Sequence, residues 1–381
     1  MRINVVGAGI MGLSTALALV EAGHRVTIFE QGPIPNPLGS SVDSHRLIRH
    51  PYGAMAGYAR MINSAYTAWE LMWGALGQTL YEPTGTLVLA RDVLTWAEQS
   101  LTDMEDMGIR AEVLDHAGIQ SRAPMLSTEG VELAAWVDSG GVLLADQIIT
   151  ALAGHLLRRG ATIRTHTLVA EIEPERKTVV LEDGERIRAD ATVIAAGPWV
   201  HRLRSGLKKK VVPSRQLVLY LEPPARFQEA WKHAPMVLDI HRTGGIYIVP
   251  PVRGTGLKVG EHAFTLKGHP DKDRQAEEEE CFALLNECKD RLKSLDEYQI
   301  DQGKICFYSV EPDEQFILEA DDKTLLMTGF SGHGFKFGAL MGRLAAGVLT
   351  GKVDAADITQ LAAGKIEDTT KIEALTRICL A

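Results

Sequence analysis

The feature that most constrains this chain lies in its first thirty residues. Arg2–Val6 is a short apolar run that ends in Gly7, Ile10–Ala22 has the spacing of a helix and stops at Gly23, and Arg25–Glu30 is rich in β-forming residues. Continuous apolar runs of this length read as buried parallel strands, and glycine is a natural residue just past a helix end. Strand, glycine turn, helix and strand make a βαβ unit with a right-handed crossover. The turn reads Gly7-Ala8-Gly9-Ile10-Met11-Gly12, and Glu30 closes the next strand. Gly7 permits the tight turn, Gly9 lets backbone approach a pyrophosphate, and Gly12 lets helix and strand pack closely. The helix start then offers free N–H groups and its positive dipole end to phosphates. Glu30 would accept ribose hydroxyls and disfavour a 2′-phosphate. The competing reading is a glycine-rich turn made for packing. The pattern predicts a dinucleotide site but does not choose between NAD and FAD.

The 381 residues suffice for two ordinary domains or one interleaved unit, and 45% hydrophobic with 23% charged residues is globular composition. A net charge of −9 argues against a nucleic-acid partner, though not against a small anion. Four cysteines (Cys281, Cys288, Cys306, Cys379) are too few for a disulfide framework and form no CxxC pair. That fits a reducing cytoplasm and excludes a zinc knuckle. No stretch approaches ~20 uninterrupted apolar residues, so no membrane span is expected. The apolar start is not read as a signal peptide, because Glu21 and His24 follow it without a cleavage site. A cytoplasmic protein, monomeric or a small homo-oligomer, is expected.

Further along, Gln31–Gly39 is loop, Tyr58–Leu76 is helical in pattern, and Val142–Gly160 also reads as helix. Strand-like segments follow at Ala161–His166 and Leu168–Ile172. Lys177–Leu181 and Glu185–Arg188 flank Asp183-Gly184, a strong hairpin signal. Thr192–Ala196 reads as another buried strand. From Leu217 to Tyr308, β-like runs (LVLYLE, GIYIVP, LKVGEH) surround one charged helix, Asp273–Lys293, with Glu277–Glu280 as a solvated helix face. The chain returns to strand at LLMTGF and to helix at Phe337–Leu349. This organisation predicts an α/β fold: a Rossmann-like nucleotide-binding domain from residues 1–85, 145–205 and 318–381, with an inserted mixed or antiparallel β-sheet substrate domain from 86–144 and 206–317.

Four segments resemble those of the monomeric sarcosine oxidase family, within the D-amino-acid-oxidase-like flavoproteins. Ser44–Gly53 (SHRLIRHPYG) is similar to the family's arginine-bearing segment, and Gly256–His262 (GLKVGEH) to its G-L-K-x-G-x-H. Cys306-Phe307-Tyr308, followed by Asp313–Ile317, resembles the segment whose cysteine bonds to FAD. Gly329–Phe337 (GFSGHGFKF) is nearly the family's C-terminal flavin-binding signature. The matches run in the same order along essentially the whole chain, so FAD is the cofactor that the resemblance implies.

By that resemblance, cofactor contacts fall on Gly7, Gly9, Ile10, Met11, Gly12, Glu30, Gln31, Ser41, Val169, Gly197, Gly332, Gly334, Phe335 and Lys336, with a thioether from Cys306. Arg49 and Lys336 would bind a substrate carboxylate, which a guanidinium grips bidentately. Arg46 would sit against the flavin ring, and Lys258 over it, where a fixed cation favours reduction of oxygen. His262 and Tyr247 would line the substrate pocket, whereas His333 is read as supporting. The family's histidine four residues before its first arginine is Val42 here, and His45 stands beside Arg46 instead. His45 is therefore a further candidate on the substrate side, and sarcosine itself is in doubt.

The reaction implied is oxidation of a C–N bond of a secondary amine or of an N-substituted or cyclic amino acid. A hydride equivalent goes to flavin N5, water hydrolyses the imine, and O2 reoxidises the flavin to give hydrogen peroxide. A flavin dehydrogenase feeding a carrier or quinone, a fructosyl amino acid oxidase, an NAD-dependent dehydrogenase and a non-catalytic flavoprotein stay open as alternatives. No metal is expected.

Overall fold

The computed structural model describes residues 1–381 except Val93, Thr243, Asp322 and Lys323, and except the side chain of Lys209. Its centre is a six-stranded sheet. Arg2–Val6 runs parallel between Arg25–Phe29 and Ala191–Ile194. Thr162–Arg164 extends one side of the sheet, and Thr324–Thr328 with antiparallel Ile317–Asp321 extends the other. From Ile3 to Val6 the first strand is buried throughout, as a parallel strand covered on both faces must be. The helices Ile10–Glu21, Ala145–Arg158 and Gly338–Thr350 pack with this sheet in one core that includes Val5, Leu13, Leu152, Leu325 and Leu344. Each such side chain contributes roughly 1.5–3 kcal/mol on burial.

The second large sheet has eight strands, in the order 299–310, 212–222, 257–261, 244–249, 236–241, 86–90, 133–137 and 111–113. Its pairings are antiparallel except where Met236–His241 runs parallel to Thr86–Ala90. Alternation along Leu257–Glu261 sends Leu257 and Val259 into this sheet's own core with Leu219 and Ile248, which turns Lys258 to the opposite face. A small third sheet joins Arg46–Ile48 and Tyr81–Pro83 to either edge of Gly141–Leu143. The hairpin at Asp183-Gly184 forms as expected, joining Thr178–Leu181 to Arg186–Arg188. Among the described residues, no helix is long and apolar enough to cross a membrane.

Two element readings are corrected. Val142 and Leu143 are strand, not helix, because they pair on both sides in the small sheet; the helix begins at Ala145. The charged helix is only Glu278–Glu287. Glu277 is its extended N-cap and forms a reciprocal capping box with Glu280, whose carboxylate also pairs with Arg215. The four glutamates thus start the helix as well as solvating it.

Candidate active site

Where Arg2–Val6 meets its helix, Gly7 adopts φ +103°, and a Cβ there would lie 2.3 Å from the Ala195 carbonyl oxygen. Gly12 sits so close to the turn that a Cβ would come within 1.9 Å of the Gly7 carbonyl oxygen. The helix opens at Gly9 with no acidic residue in its first turn, and Ser41 Oγ accepts the Ile10 N–H at 2.9 Å. Glu30 is buried with its carboxylate held by Ala8 N–H at 2.9 Å, Gly32 N–H at 3.0 Å and Asn36 Nδ2 at 2.8 Å. These groups line one end of a cavity of about 1280 Å³. Gln31, Val169 and Gly197 line its walls, as do Met11, Gly332, Gly334 and Phe335.

A second cavity of about 840 Å³ adjoins the first, and Arg46, Tyr308, Gly332 and Phe335 line both. The second is walled by aromatic side chains (Tyr52, Tyr247, Phe264) and carries Arg49, Lys258, His262 and Lys336. Arg49 lies 4.8 Å over the Tyr52 ring, and Lys336 Nζ lies 5.3 Å over the same ring. Among the described residues Arg49 Nη1 is buried with no hydrogen-bond partner, and Lys336 Nζ donates to the His333 carbonyl at 3.3 Å. Burial lowers the pKa of both, and in Lys336 the neighbouring Arg49 charge adds to the effect. Two buried basic side chains with spare donors on one ring are an arrangement that can receive an anion. His262, whose Nε2 has no hydrogen-bond partner among the described residues, is pushed down to about 3 by burial and by Arg49, so it is neutral near pH 7.

A model of the FAD dependent oxidoreductase family matches residues 2–348. The chain belongs to that family. It is 26% identical over 367 residues to a monomeric sarcosine oxidase of Bacillus sp. (strain B-0618), covering 92% of each chain. It is 25% identical over 353 residues to an N-methyl-L-tryptophan oxidase of Yersinia pestis (strain Pestoides F), covering 90% of this chain and 93% of the relative. A solved structure of NikD, described as an unusual amino acid oxidase essential for nikkomycin biosynthesis, superposes with TM-score 0.80 at 22% identity, over 95% of this chain and 96% of that one. The protein is thus an FAD-dependent oxidoreductase with the Rossmann-like fold of its family. The residues present fit that cofactor: the Gly7 turn leaves no room for a side chain, the helix start carries no opposing charge, and Glu30 stands ready at the same end.

Not every anticipated residue of this FAD dependent oxidoreductase faces a cavity. Gly12 acts in packing. His45 lines neither space: its Nε2 pairs with the Gly256 carbonyl at 3.1 Å and its ring stacks on Tyr220. Burial and the neighbouring Lys258 charge push His45 down to about 3, so it is a neutral buried side chain. Cys306 is a buried free thiol behind the wall, 3.7 Å from Arg46 Nη2 and 3.9 Å from the Ser40 carbonyl. Arg46 spends its donors on the loop before it: the Asp43 carboxylate, the Ser40 carbonyl at 3.0 Å, and the Val42 and His45 carbonyls at 3.3 Å. Burial alone would lower its pKa; the Asp43 charge, together with Cys306, Tyr308 and Tyr247, more than reverses that.

Three residues escaped the sequence reading. Tyr308 lies in the Cys306 segment and stands between the cavities, and Glu314, from the following DEQFI run, faces Arg49 and Lys336. Asp43 is almost fully buried and binds Lys258 Nζ at 2.8 Å. The one available signal was a carboxylate three residues before Arg46.

Proposed function

We propose that the protein is an FAD-dependent oxidase of a secondary amine or of an N-substituted or cyclic amino acid. The observation that carries this reading is Arg49 Nη1, buried without a hydrogen-bond partner among the described residues, beside Lys336 in a cavity that shares a wall with the FAD-type cavity. Bound FAD would supply the two-electron oxidation of the carbon next to nitrogen and the return of the electrons to O2 as hydrogen peroxide. Arg49 and Lys336 grip the substrate carboxylate and so fix which carbon faces the shared wall. Neutral His262 and the Tyr247 ring, 5.6 Å apart, bound the amine end without adding charge. Lys258 holds a positive charge in the second cavity for the reaction with oxygen. Cys306, which lies beside the cavity-lining Arg46, carries the flavin as a thioether, as the resemblance of its segment implies. The names of the sarcosine and N-methyl-L-tryptophan oxidase relatives support an N-methyl amino acid substrate.

We further propose that the six-stranded sheet belongs to the cofactor unit and the eight-stranded sheet to the substrate unit, divided as read from the sequence. Four free cysteines support a cytoplasmic location. The deciding experiment supplies N-methyl amino acids, cyclic imino acids and fructosyl amino acids in turn, and measures peroxide beside reduction of an artificial acceptor. Peroxide from an N-substituted amino acid is expected. Acceptor reduction without peroxide would make the protein a dehydrogenase, and no flavin bleaching by any amine would overturn the reading.

A further inference from the structure

Asp43 lies in the loop before Arg46–Ile48, and its carboxylate gathers three cations. Lys258 Nζ donates to Oδ2 at 2.8 Å, Arg46 donates to the same oxygen, and Lys304 Nζ lies 3.5 Å from Oδ1. The Tyr220 hydroxyl and the Ser44 N–H, at 3.0 Å, also donate to Oδ1. The loop itself is fixed: Asp43 N–H donates to Asp146 Oδ1 at 2.7 Å, and Asp146 N–H donates to the Asp43 carbonyl at 3.1 Å. A charged group of this kind, 1% exposed, is held in place from every side.

The consequence falls on Lys258, itself 2% exposed. An ammonium has three donors. One goes to Asp43 and a second to the His45 carbonyl at 2.9 Å, which leaves one for the second cavity that Lys258 lines. The other groups facing it are the Arg46 charge, the Cys306 thiol, the neutral His45 and the Tyr247 ring 6.0 Å away. Of these, the Asp43 carboxylate is the negative charge that can keep a buried ammonium protonated. We infer that Asp43 is a positioning residue that keeps Lys258 charged and fixes the direction of its one uncommitted N–H, and so sets how the bound flavin reacts with oxygen. Burial has already brought Lys258 down to about 8 against the pull of Asp43, and buried lysines without such a partner fall to roughly 5–6. Without Asp43 the side chain is therefore neutral at pH 7.

This inference rests on the oxidase reading for its consequence, and the experiment separates the two. FAD-loaded wild type and Asp43→Asn are reduced by light without any amine, then mixed with oxygen between pH 6 and 9.5. Two electrons and two protons leave the reduced flavin for each O2, giving H2O2. Wild-type reoxidation is expected to fall as pH rises through about 8. In Asp43→Asn the falling limb moves down by about two pH units or more, so the variant is at least about tenfold slower at pH 7.5 and the gap narrows toward pH 6. Sulfite, added to the oxidised enzyme, reads the same positive charge without oxygen, and its pH profile should shift in parallel. Asp43→Asn/Lys258→Met removes both partners, which buried pairs tolerate better than removal of one. In that background the Asp43 change should add almost nothing. Equal slowing at every pH with an unmoved sulfite profile, or full additivity in the double variant, would overturn the inference. Wild-type flavin that oxygen does not reoxidise at any pH would end the oxidase reading, while the sulfite profile would still decide the role of Asp43.

Discussion

Replacing Arg49 by methionine separates a receptor for an anion from a pair of structural cations. Methionine keeps most of the volume and removes the charge. In the free protein the arginine is a costly resident: an unsatisfied buried donor costs about 1–3 kcal/mol. Its position 4.8 Å over Tyr52 returns about 0.5–2 kcal/mol, and it also repels Lys336. These effects nearly cancel, so thermal stability without ligand should be unchanged or slightly raised. Binding is different, because a charge-assisted hydrogen bond to a carboxylate is worth about 1.5–3 kcal/mol. The variant should therefore lose about 10- to 150-fold in kcat/KM for an N-substituted amino acid. The matching primary amide never made the ionic contact and should lose far less. Steady-state kinetics on both substrates, with melting curves with and without the acid, give the answer. An equal loss for acid and amide with a lowered melting temperature would mean that Arg49 holds the fold and that the carboxylate binds elsewhere.

Acid-precipitated wild type should give a yellow pellet, and Cys306→Ser should release the colour to the supernatant; a colourless wild-type pellet rejects the thioether while leaving FAD binding intact. Lys258→Met should slow reoxidation by oxygen about 10²–10³-fold and reduction by substrate much less; stopped-flow traces in which both slow alike would reduce Lys258 to a wall residue. His45, His50 and His262 are pushed down to about 3, 4 and 3, chiefly by burial. The unfolded chain therefore takes up protons first, and stability should fall as pH drops from about 6.5, by up to about 1.4 kcal/mol per pH unit for each histidine. His50→Asn, which removes one of them from between Ser139 and Asn63, should flatten that slope in denaturant titrations from pH 7 to 5; an unchanged slope would show that His50 is already charged in the fold.

Local patterns were legible where the element carried its own signal: the glycine turn with Glu30, the Asp183-Gly184 hairpin, and the alternating strands around Lys258. Legibility failed where a distant partner decides. Val142 and Leu143 look like the start of a helix until Arg46–Ile48 and Tyr81–Pro83 pair with them. The helix Leu94–Asp106 escaped notice because its buried side is mostly small or polar, with Ala97, Ser100 and Asp103 beside a single large apolar residue, Met104. His45 stands next to Arg46 in sequence, yet the small sheet's alternation turns the two side chains apart. Asp43 is the clearest case. Nothing beside it in the chain announces an ion pair with Lys258, and only the assembled eight-stranded sheet brings that lysine to it.

The central strand Arg2–Val6 has consequences for how the protein is made. It leaves the ribosome before the other strands of its sheet, and Arg25–Phe29 can join it almost at once, but its other neighbour, Ala191–Ile194, emerges far later. At 5–20 residues per second that interval is about ten to forty seconds. Throughout it, one edge of a strongly apolar strand is bare, the kind of template on which nascent chains pair wrongly. Thr324–Thr328 and the helix Gly338–Thr350 arrive later still. Cofactor capture is therefore expected only after that helix has emerged, and shortage of FAD in the cell should appear as misassembled chain before it appears as lost activity.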